Sequence, residues 1–196
     1  MVVVVRRGDQ GVIEEIVPKS AASAESFGGS LGTGLFAEEA TLVARATEKR
    51  RREFTTGREC ARGALAALGI APAPILRGYR GAPVWPDGIV GSITHCAGYC
   101  AAAVARTQDL LTIGLDAEPN AELPGGVLEL ISLPAERGWK VAADAGGITL
   151  GRVVRGVAER YNLDAATLRS AEACRPLNGS TSPVHRVAAA VAASAP

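Results

Sequence analysis

Ile113-Gly-Leu-Asp-Ala-Glu-Pro119 is the stretch that most constrains the fold of this chain. Apolar and acidic residues alternate in it, as expected for a β-strand whose successive side chains point to opposite faces. We therefore predict a strand from Leu110 to Glu118, with its apolar side chains toward the core. Asp116 and Glu118 should then project side by side from the other face.

Two carboxylates this close repel each other unless a cation lies between them. Hard oxygen ligands on neighbouring positions of one face suit Mg²⁺, which retains several waters and takes further ligands from a substrate phosphate. The spacing therefore indicates a metal site at Asp116 and Glu118. It is also compatible with an acidic strand edge that simply faces solvent.

The size and composition of the chain exclude several broad classes. Its 196 residues suffice for one domain or for two small halves that share a core. With 47% hydrophobic and 21% charged residues, the chain is too apolar to be mostly disordered. The net charge of +1 argues against a general binder of nucleic acids or membrane surfaces, so any anion site must come from local clustering.

The amino terminus and the cysteines favour a cytoplasmic location. The positive charges of Arg6 and Arg7 follow the valine run, which is the reverse of the order in a secretory signal. The four cysteines are predicted to be reduced thiols. Cys96 and Cys100 beside His95 could hold a metal, but no second ligand pair follows them.

Basic residues cluster in the predicted helical region. A helix that begins near Glu38 is expected to run into Lys49-Arg-Arg-Arg52, and a second to begin at Thr56, whose spacing from Glu59 has the capping-box form. Gly69 should end the second helix. The cluster also includes Arg58 and Arg62, four residues apart, and its guanidinium groups suit phosphate oxygens, although a solvated helix end is the simpler alternative.

The remaining segments are less regular. Gly28-Gly-Ser-Leu-Gly-Thr-Gly34 lacks the Gly-Lys-Ser/Thr ending of a phosphate loop, so residues 1–36 are predicted to be a loose lead-in. Residues 90–104 are predicted to form a strand and a turn. Thr94 and His95 lie within them, where both could bind a phosphate. The alanine-rich end of the chain is expected to fray.

Six motifs in order resemble those of the Sfp-type 4′-phosphopantetheinyl transferases, particularly the enterobactin-synthetase-like branch. The resemblance covers residues 38–137, about half of the chain. The motifs are Arg50-Arg-Arg-Glu-Phe54, Gly57-Arg-Glu-Cys-Ala-Arg62, Gly81-Ala-Pro-Val-Trp-Pro86, Gly91-Ser-Ile-Thr-His-Cys96, Ile113-Gly-Leu-Asp-Ala-Glu-Pro119 and Leu133-Pro-Ala-Glu-Arg137.

The resemblance implies transfer of the 4′-phosphopantetheine arm from coenzyme A to a serine of an apo acyl-carrier or peptidyl-carrier protein, with release of 3′,5′-ADP. It implies Mg²⁺ bound by Asp116 and Glu118, and a monomer without nucleic-acid or membrane partners. The implied fold is an α/β (α+β) pseudo-dimer of two similar halves, with coenzyme A between them. The residues that match positions at the coenzyme A phosphates or neighbouring groups are Arg50, Arg58, Arg77, Thr94 and His95.

The second half of the chain departs from this family. The family carries a Lys-Glu motif whose Glu completes the metal site and is the favoured general base, but this sequence has no Lys-Glu pair. An ungapped continuation places Glu159 at that carboxylate and Ala158 at the lysine. Glu159 would then be both metal ligand and base, although a solvated helix position paired with Arg155 explains it as well.

Three domains and three functions are therefore expected. Residues 1–36 form the lead-in, residues 37–137 the N-terminal half of a transferase, and residues 138–196 a divergent or incomplete second half. A phosphopantetheinyl transferase is the leading interpretation. The alternatives are a non-catalytic remnant that binds coenzyme A or a carrier protein, and an unrelated Mg²⁺-dependent phosphoesterase.

A frameshift near residues 138–150 of the gene would explain the second half. Aromatic residues become sparse after Tyr99, and the last lysine is Lys140. Resequencing of the gene is expected to reveal a Lys-Glu motif in another reading frame. A clean frame without that motif in any alternative frame contradicts the hypothesis.

Overall fold

A computed structural model describes residues 13–119, together with the two strands at 169–175 and 185–193. Within these ranges, no helix combines the length and the apolar character needed to cross a membrane. A short 3₁₀ turn, Tyr79–Gly81, accompanies the main elements. In chain order these are α1 (Ile13–Ile16), β1 (Ala21–Phe27), α2 (Ala37–Leu42), α3 (Glu48–Ala67), β2 (Ile89–Cys96), β3 (Tyr99–Arg106), β4 (Leu110–Pro119), β5 (Arg169–Arg175) and β6 (His185–Ala193).

The strands form two antiparallel three-stranded sheets. The first has the order β1-β3-β2 and the second the order β4-β6-β5. The sheets meet where β2 and β4 lie side by side, and the backbone N–H of Leu115 donates to Ser92 Oγ at 3.1 Å. The fold is therefore mixed α+β, as predicted in its coarser form; the pseudo-dimer and the incomplete second half stay predictions.

The helix α3 is one continuous element of 20 residues, so the prediction of a second helix that starts at Thr56 is wrong. The chain breaks earlier, between Leu42 and Thr47, where the Thr47 side chain accepts from Arg50 N at 3.3 Å and caps α3. Thr56 lies inside α3, and its hydroxyl donates to Arg52 O. The predicted end is confirmed, because the helix stops just before Gly69, whose φ is +76°.

Small residues let α3 lie directly on the first sheet. A Cβ added to Gly57 would lie 3.0 Å from Ile93 Cγ2, and one added to Gly63 would lie 3.2 Å from Ala24 Cβ. The core between helix and sheet is built largely from alanine, cysteine and aliphatic residues, in keeping with an aromatic content of 4%. Its buried members are Cys60, Ala61, Ala64, Leu65, Ile75, Ile89, Cys100, Ala102 and Val104.

The middle strand β3 is buried on both faces. Its even-numbered residues from Cys100 to Val104 pack against α3, and its odd-numbered residues from Tyr99 to Ala105 pack toward α1 and β4. The second core contains the apolar members of β4, as the alternation in the sequence predicts. Those members are Ile113, Leu115 and Ala117.

Two segments are more ordered than expected. Ala21–Phe27, predicted to belong to a loose lead-in, pairs with β3 along its whole length. The following loop is held to α3, because the Glu59 carboxylate accepts from Leu31 N and Gly34 N, both at 2.7 Å. His185–Ala193, in the tail that was expected to fray, is the middle strand of the second sheet.

A buried carboxylate joins α2, α3 and the segment that follows α3. Glu39 is completely buried and accepts from Arg62 Nη1 at 2.8 Å and from Ile75 N at 2.8 Å. It also accepts from Phe36 N at 3.0 Å at the start of α2. Arg62 in turn donates through Nη2 to Gly34 O. One ion pair thus connects the loop, both helices and the chain that leads to β2.

We expect Glu39→Ala to lower the free energy of unfolding by about 3–5 kcal/mol, because it leaves the buried Arg62 guanidinium without its counter-charge. Glu38→Ala is the matched control: Glu38 lies in the same helical turn and is exposed, so its loss should cost under about 0.5 kcal/mol. Urea unfolding followed by circular dichroism measures both. An equal loss of unfolding free energy in the two variants would contradict the stabilising role of the buried ion pair. Glu39→Gln replaces Glu39→Ala if the latter does not fold.

Candidate active site

Arg50 on α3 and His95 on β2 meet at the start of α3. Arg50 Nη1 lies 3.0 Å from His95 Nε2. Because a guanidinium can only donate, His95 Nε2 accepts and the ring proton is on Nδ1. Glu53 lies beside both: its Oε2 is 3.7 Å from Arg50 Nη1 and 4.0 Å from His95 Nδ1. The carboxylate therefore orients a histidine and an arginine that both remain accessible to solvent.

Arg58 lies about two turns beyond Arg50 on α3 and is buried to an unusual degree for an arginine. It is 5% exposed, its guanidinium carbon is 4.3 Å from the centre of the Phe54 ring, and its Nε has no hydrogen-bond partner within the described residues. Burial is the main reason why the pKa of Arg58 is lowered to about 10. The carboxylate of Glu39 acts in the opposite direction and raises this pKa, whereas the positive charges of Arg77 and Arg50 lower it further. Within the described residues, the carboxylate that comes within 4.0 Å of Arg58 is that of Glu39, whose Oε1 lies 4.0 Å from Arg58 Nε.

Arg77 approaches the same aromatic ring from a separate loop. Its guanidinium carbon is 5.8 Å from the centre of the Phe54 ring. The loop is a short hairpin in which Val84 N donates to Leu76 O at 2.9 Å and Gly78 N donates to Ala82 O at 2.7 Å. The positive charges of Arg77, Arg62 and Arg50 all act on Arg58, so this region of the protein is basic and suits an anion.

The predicted neighbours Thr94 and His95 point to opposite faces of β2. Thr94 is 5% exposed and its strand partner is Ala101, whereas His95 is exposed and contacts Arg50. This follows from the alternation of side chains along a strand. The structure therefore brings His95, and not the side chain of Thr94, onto the face occupied by Arg50.

Asp116 and Glu118 lie near the end of β2 that carries His95. Both are half-buried, and both act electrostatically on Cys96, the neighbour of His95. Burial and, after it, these carboxylates raise the pKa of the Cys96 thiol to about 12. The two predicted acids thus lie near Cys96, the residue that follows His95 on β2.

The candidate metal site is defined here by two acids. Within residues 13–119 and the two later strands, no group of three His, Cys, Asp or Glu side chains could hold a metal ion. Glu159, the predicted third ligand and base, lies outside the described residues. Asp116 and Glu118 present hard oxygen donors, which fit Mg²⁺ by their chemistry.

Sequence analysis missed the roles of Glu53 and Phe54 and misjudged that of Arg62. Glu53 follows Arg50 by three residues and Phe54 precedes Arg58 by four, so helical spacing alone places each beside its partner. Arg62 had been grouped with the phosphate-binding arginines. Its guanidinium is instead used by Glu39 and Gly34, which the sequence spacing does not reveal because these partners are 23 and 28 residues away.

Comparison with known proteins identifies similar sequences for the first half of the chain. Residues 38–105 match the family model of the 4′-phosphopantetheinyl transferase N-terminal domain. The chain is 61% identical to the 4′-phosphopantetheinyl transferase Svp of Streptomyces mobaraensis over 105 residues, which are 54% of this chain and 43% of Svp. The chain is 53% identical to the 4′-phosphopantetheinyl transferase PptT of Mycobacterium tuberculosis over 126 residues, which are 64% of this chain and 56% of PptT.

A more distant relative is enterobactin synthase component D of Salmonella typhimurium, which is 40% identical over 73 residues, 37% of this chain and 29% of that protein. The predicted resemblance is therefore confirmed. The relatives of higher identity are Svp and PptT rather than the enterobactin synthase components. The chain spans about half the length of the first two curated relatives.

The proximity of the two acids to Cys96 can be tested by thiol alkylation. Burial is the main cause of the raised pKa of Cys96, and Glu118 contributes more to it than Asp116, so Glu118→Gln should lower this pKa and increase the thiolate fraction at pH 9. We expect iodoacetamide to label Cys96 a few-fold faster in the variant, measured by peptide mass spectrometry. Cys60 is the internal control, because burial and two other glutamates raise its pKa. An unchanged ratio of the two labelling rates contradicts the arrangement.

Proposed function

We propose that the chain transfers the 4′-phosphopantetheine arm of coenzyme A to a serine of an apo acyl-carrier or peptidyl-carrier protein, since residues 38–105 match the family model of the 4′-phosphopantetheinyl transferase N-terminal domain. The single observation that supports this best is the convergence of Arg50, Arg58 and Arg77 on one small region beside His95. A pyrophosphate with a further phosphate, as in coenzyme A, would offer negative charge to Arg58 and Arg77, whereas Arg50 already has the Glu53 carboxylate at 3.7 Å.

The binding roles follow from the positions of the side chains. Arg50 would donate to phosphate oxygens at the open side of the site, and His95, whose Nε2 accepts from Arg50, would hold that guanidinium in place beside Glu53. Arg58 and Arg77 would hold a phosphate near the Phe54 ring, where reduced solvation strengthens the ionic contacts. We keep Thr94 as a candidate contact through its position next to His95, although its side chain faces the interior.

Asp116 and Glu118, with Glu159, would hold Mg²⁺. When bound, this ion neutralises charge that develops on the pyrophosphate oxygens. In the reaction the carrier serine oxygen attacks the phosphorus that bears pantetheine, the bond to the bridging oxygen breaks, and 3′,5′-ADP leaves. Glu159 is the proposed acceptor of the serine proton. The arginines hold the reacting phosphorus in place and stabilise the departing phosphate.

A second candidate, a remnant that binds coenzyme A without transferring its arm, is favoured by one feature of the sequence. No Lys-Glu pair occurs in the chain, and the ungapped continuation places Ala158 where the family has its lysine. The anion-binding arginines do not depend on that motif. Such a chain would bind coenzyme A through the first half and lack the general base.

One assay separates the candidates. The chain is incubated with coenzyme A, Mg²⁺ and an apo acyl-carrier protein, and the carrier is weighed by mass spectrometry. A gain of phosphopantetheine supports the transferase. No gain together with calorimetric binding of coenzyme A supports the remnant. Release of phosphate from simple phosphate esters, without either result, supports a phosphoesterase.

We expect Asp116→Ala to reduce transfer to the level measured in the presence of a chelator, because the variant loses a carboxylate of the proposed metal site. Asp109→Ala is the matched control, since Asp109 is an exposed residue between β3 and β4. Its transfer rate should equal that of the unmodified chain. Full Mg²⁺-dependent transfer by Asp116→Ala would remove Asp116 from the metal site.

A further inference from the structure

The ring of Phe54 is shared by two guanidinium groups that come from different parts of the chain. Arg58 lies on the same helix, with its guanidinium carbon 4.3 Å from the ring centre, and Arg77 reaches the ring from the hairpin after α3, at 5.8 Å. Phe54 is itself 5% exposed. A planar cation at such distances is attracted by the negative face of the aromatic ring.

Arg58 and Arg77 need an attractive contact to stay close together. Like charges repel, and Arg58 has also lost most of its hydration. The nearest carboxylate, Glu39, offers Arg58 a distant contact of 4.0 Å, while its oxygens accept hydrogen bonds from Arg62, Ile75 and Phe36. The Phe54 ring is therefore the one contact that Arg58 and Arg77 have in common among the interactions seen in residues 13–119.

We propose that Phe54 is a positioning residue for coenzyme A binding: its ring holds the guanidinium groups of Arg58 and Arg77 together, so that both are in place to receive one phosphate group. The proposal rests on the proposed function for the identity of the ligand. Phe54 does not touch the reacting atoms, so it acts on the affinity for coenzyme A and not on the chemical step.

A purely structural role for Phe54, as an apolar residue under α3, leads to different expectations. An aliphatic side chain of similar volume would then serve as well as an aromatic one. The positioning role requires the electrons of the ring, which tyrosine retains and leucine and methionine lack. Phe36 is a matched control, because its ring lies 5.2 Å from Arg62, an arginine already engaged by Glu39 and outside the proposed phosphate site.

The test compares Phe54→Leu, Phe54→Met, Phe54→Tyr and Phe36→Leu by isothermal titration with coenzyme A, with thermal unfolding of each variant. We expect Phe54→Leu and Phe54→Met to raise the Kd about fivefold, as loss of a cation–π contact implies. Phe54→Tyr and Phe36→Leu should stay within about twofold of the unmodified chain. Where transfer is measurable, the KM for coenzyme A should rise while kcat stays constant.

Several results would overturn the proposal. The first is a Kd for coenzyme A that is unchanged in Phe54→Leu. The second is a loss of affinity in Phe36→Leu or in Phe54→Tyr that is as large as the loss in Phe54→Leu. The third is that Phe54→Leu and Phe54→Met do not fold whereas Phe54→Tyr does. If the unmodified chain does not bind coenzyme A, the proposed function fails, and inorganic pyrophosphate becomes the probe. The role of the ring is then supported if Phe54→Leu binds pyrophosphate more weakly than the unmodified chain while Phe36→Leu does not. It is overturned if the variants bind pyrophosphate equally well or if no binding is detected.

Discussion

The buried ion pair between Glu39 and Arg62 is the interaction on which the placement of the candidate site depends. It fixes α2 against α3 and, through Ile75 N, holds the start of the segment that carries Arg77. A buried carboxylate is costly to desolvate, and here four hydrogen bonds from three donors on three segments compensate for that cost. The geometry around Phe54 exists because this pair brings the hairpin after α3 back to the helix.

The same pair divides the basic cluster into two functional parts. Arg62 is held by Glu39 in a buried ion pair, so its guanidinium is not available to an external anion. Arg58 lies one turn away, faces the Phe54 ring and retains an Nε without a hydrogen-bond partner in the described part of the chain. A chain with a net charge of only +1 can therefore present a strongly basic site, since its acidic residues compensate some arginines and not others.

Local signals in the sequence were reliable where a single element decided the outcome. The alternation in residues 113–119 predicted both the strand β4 and the burial of Ile113, Leu115 and Ala117. Gly69 predicted the end of α3. The start of α3 was predicted wrongly, because Thr56 and Glu59 have capping-box spacing in the middle of a helix. Glu59 instead binds the loop before α2, a partner that no local rule indicates.

The amino-acid sequence alone determined the family resemblance, the strand that carries Asp116 and Glu118, and the residue types suited to a phosphate and a divalent cation. The resemblance follows from six motifs in order; the strand and its two acids follow from spacing within one element, where periodicity fixes which side chains are neighbours. Only the tertiary structure decided that Arg62 stabilises the core while Arg58 and Arg77 share the Phe54 ring. That division depends on contacts between residues 23 to 28 positions apart, and such contacts arise from the packing of whole elements.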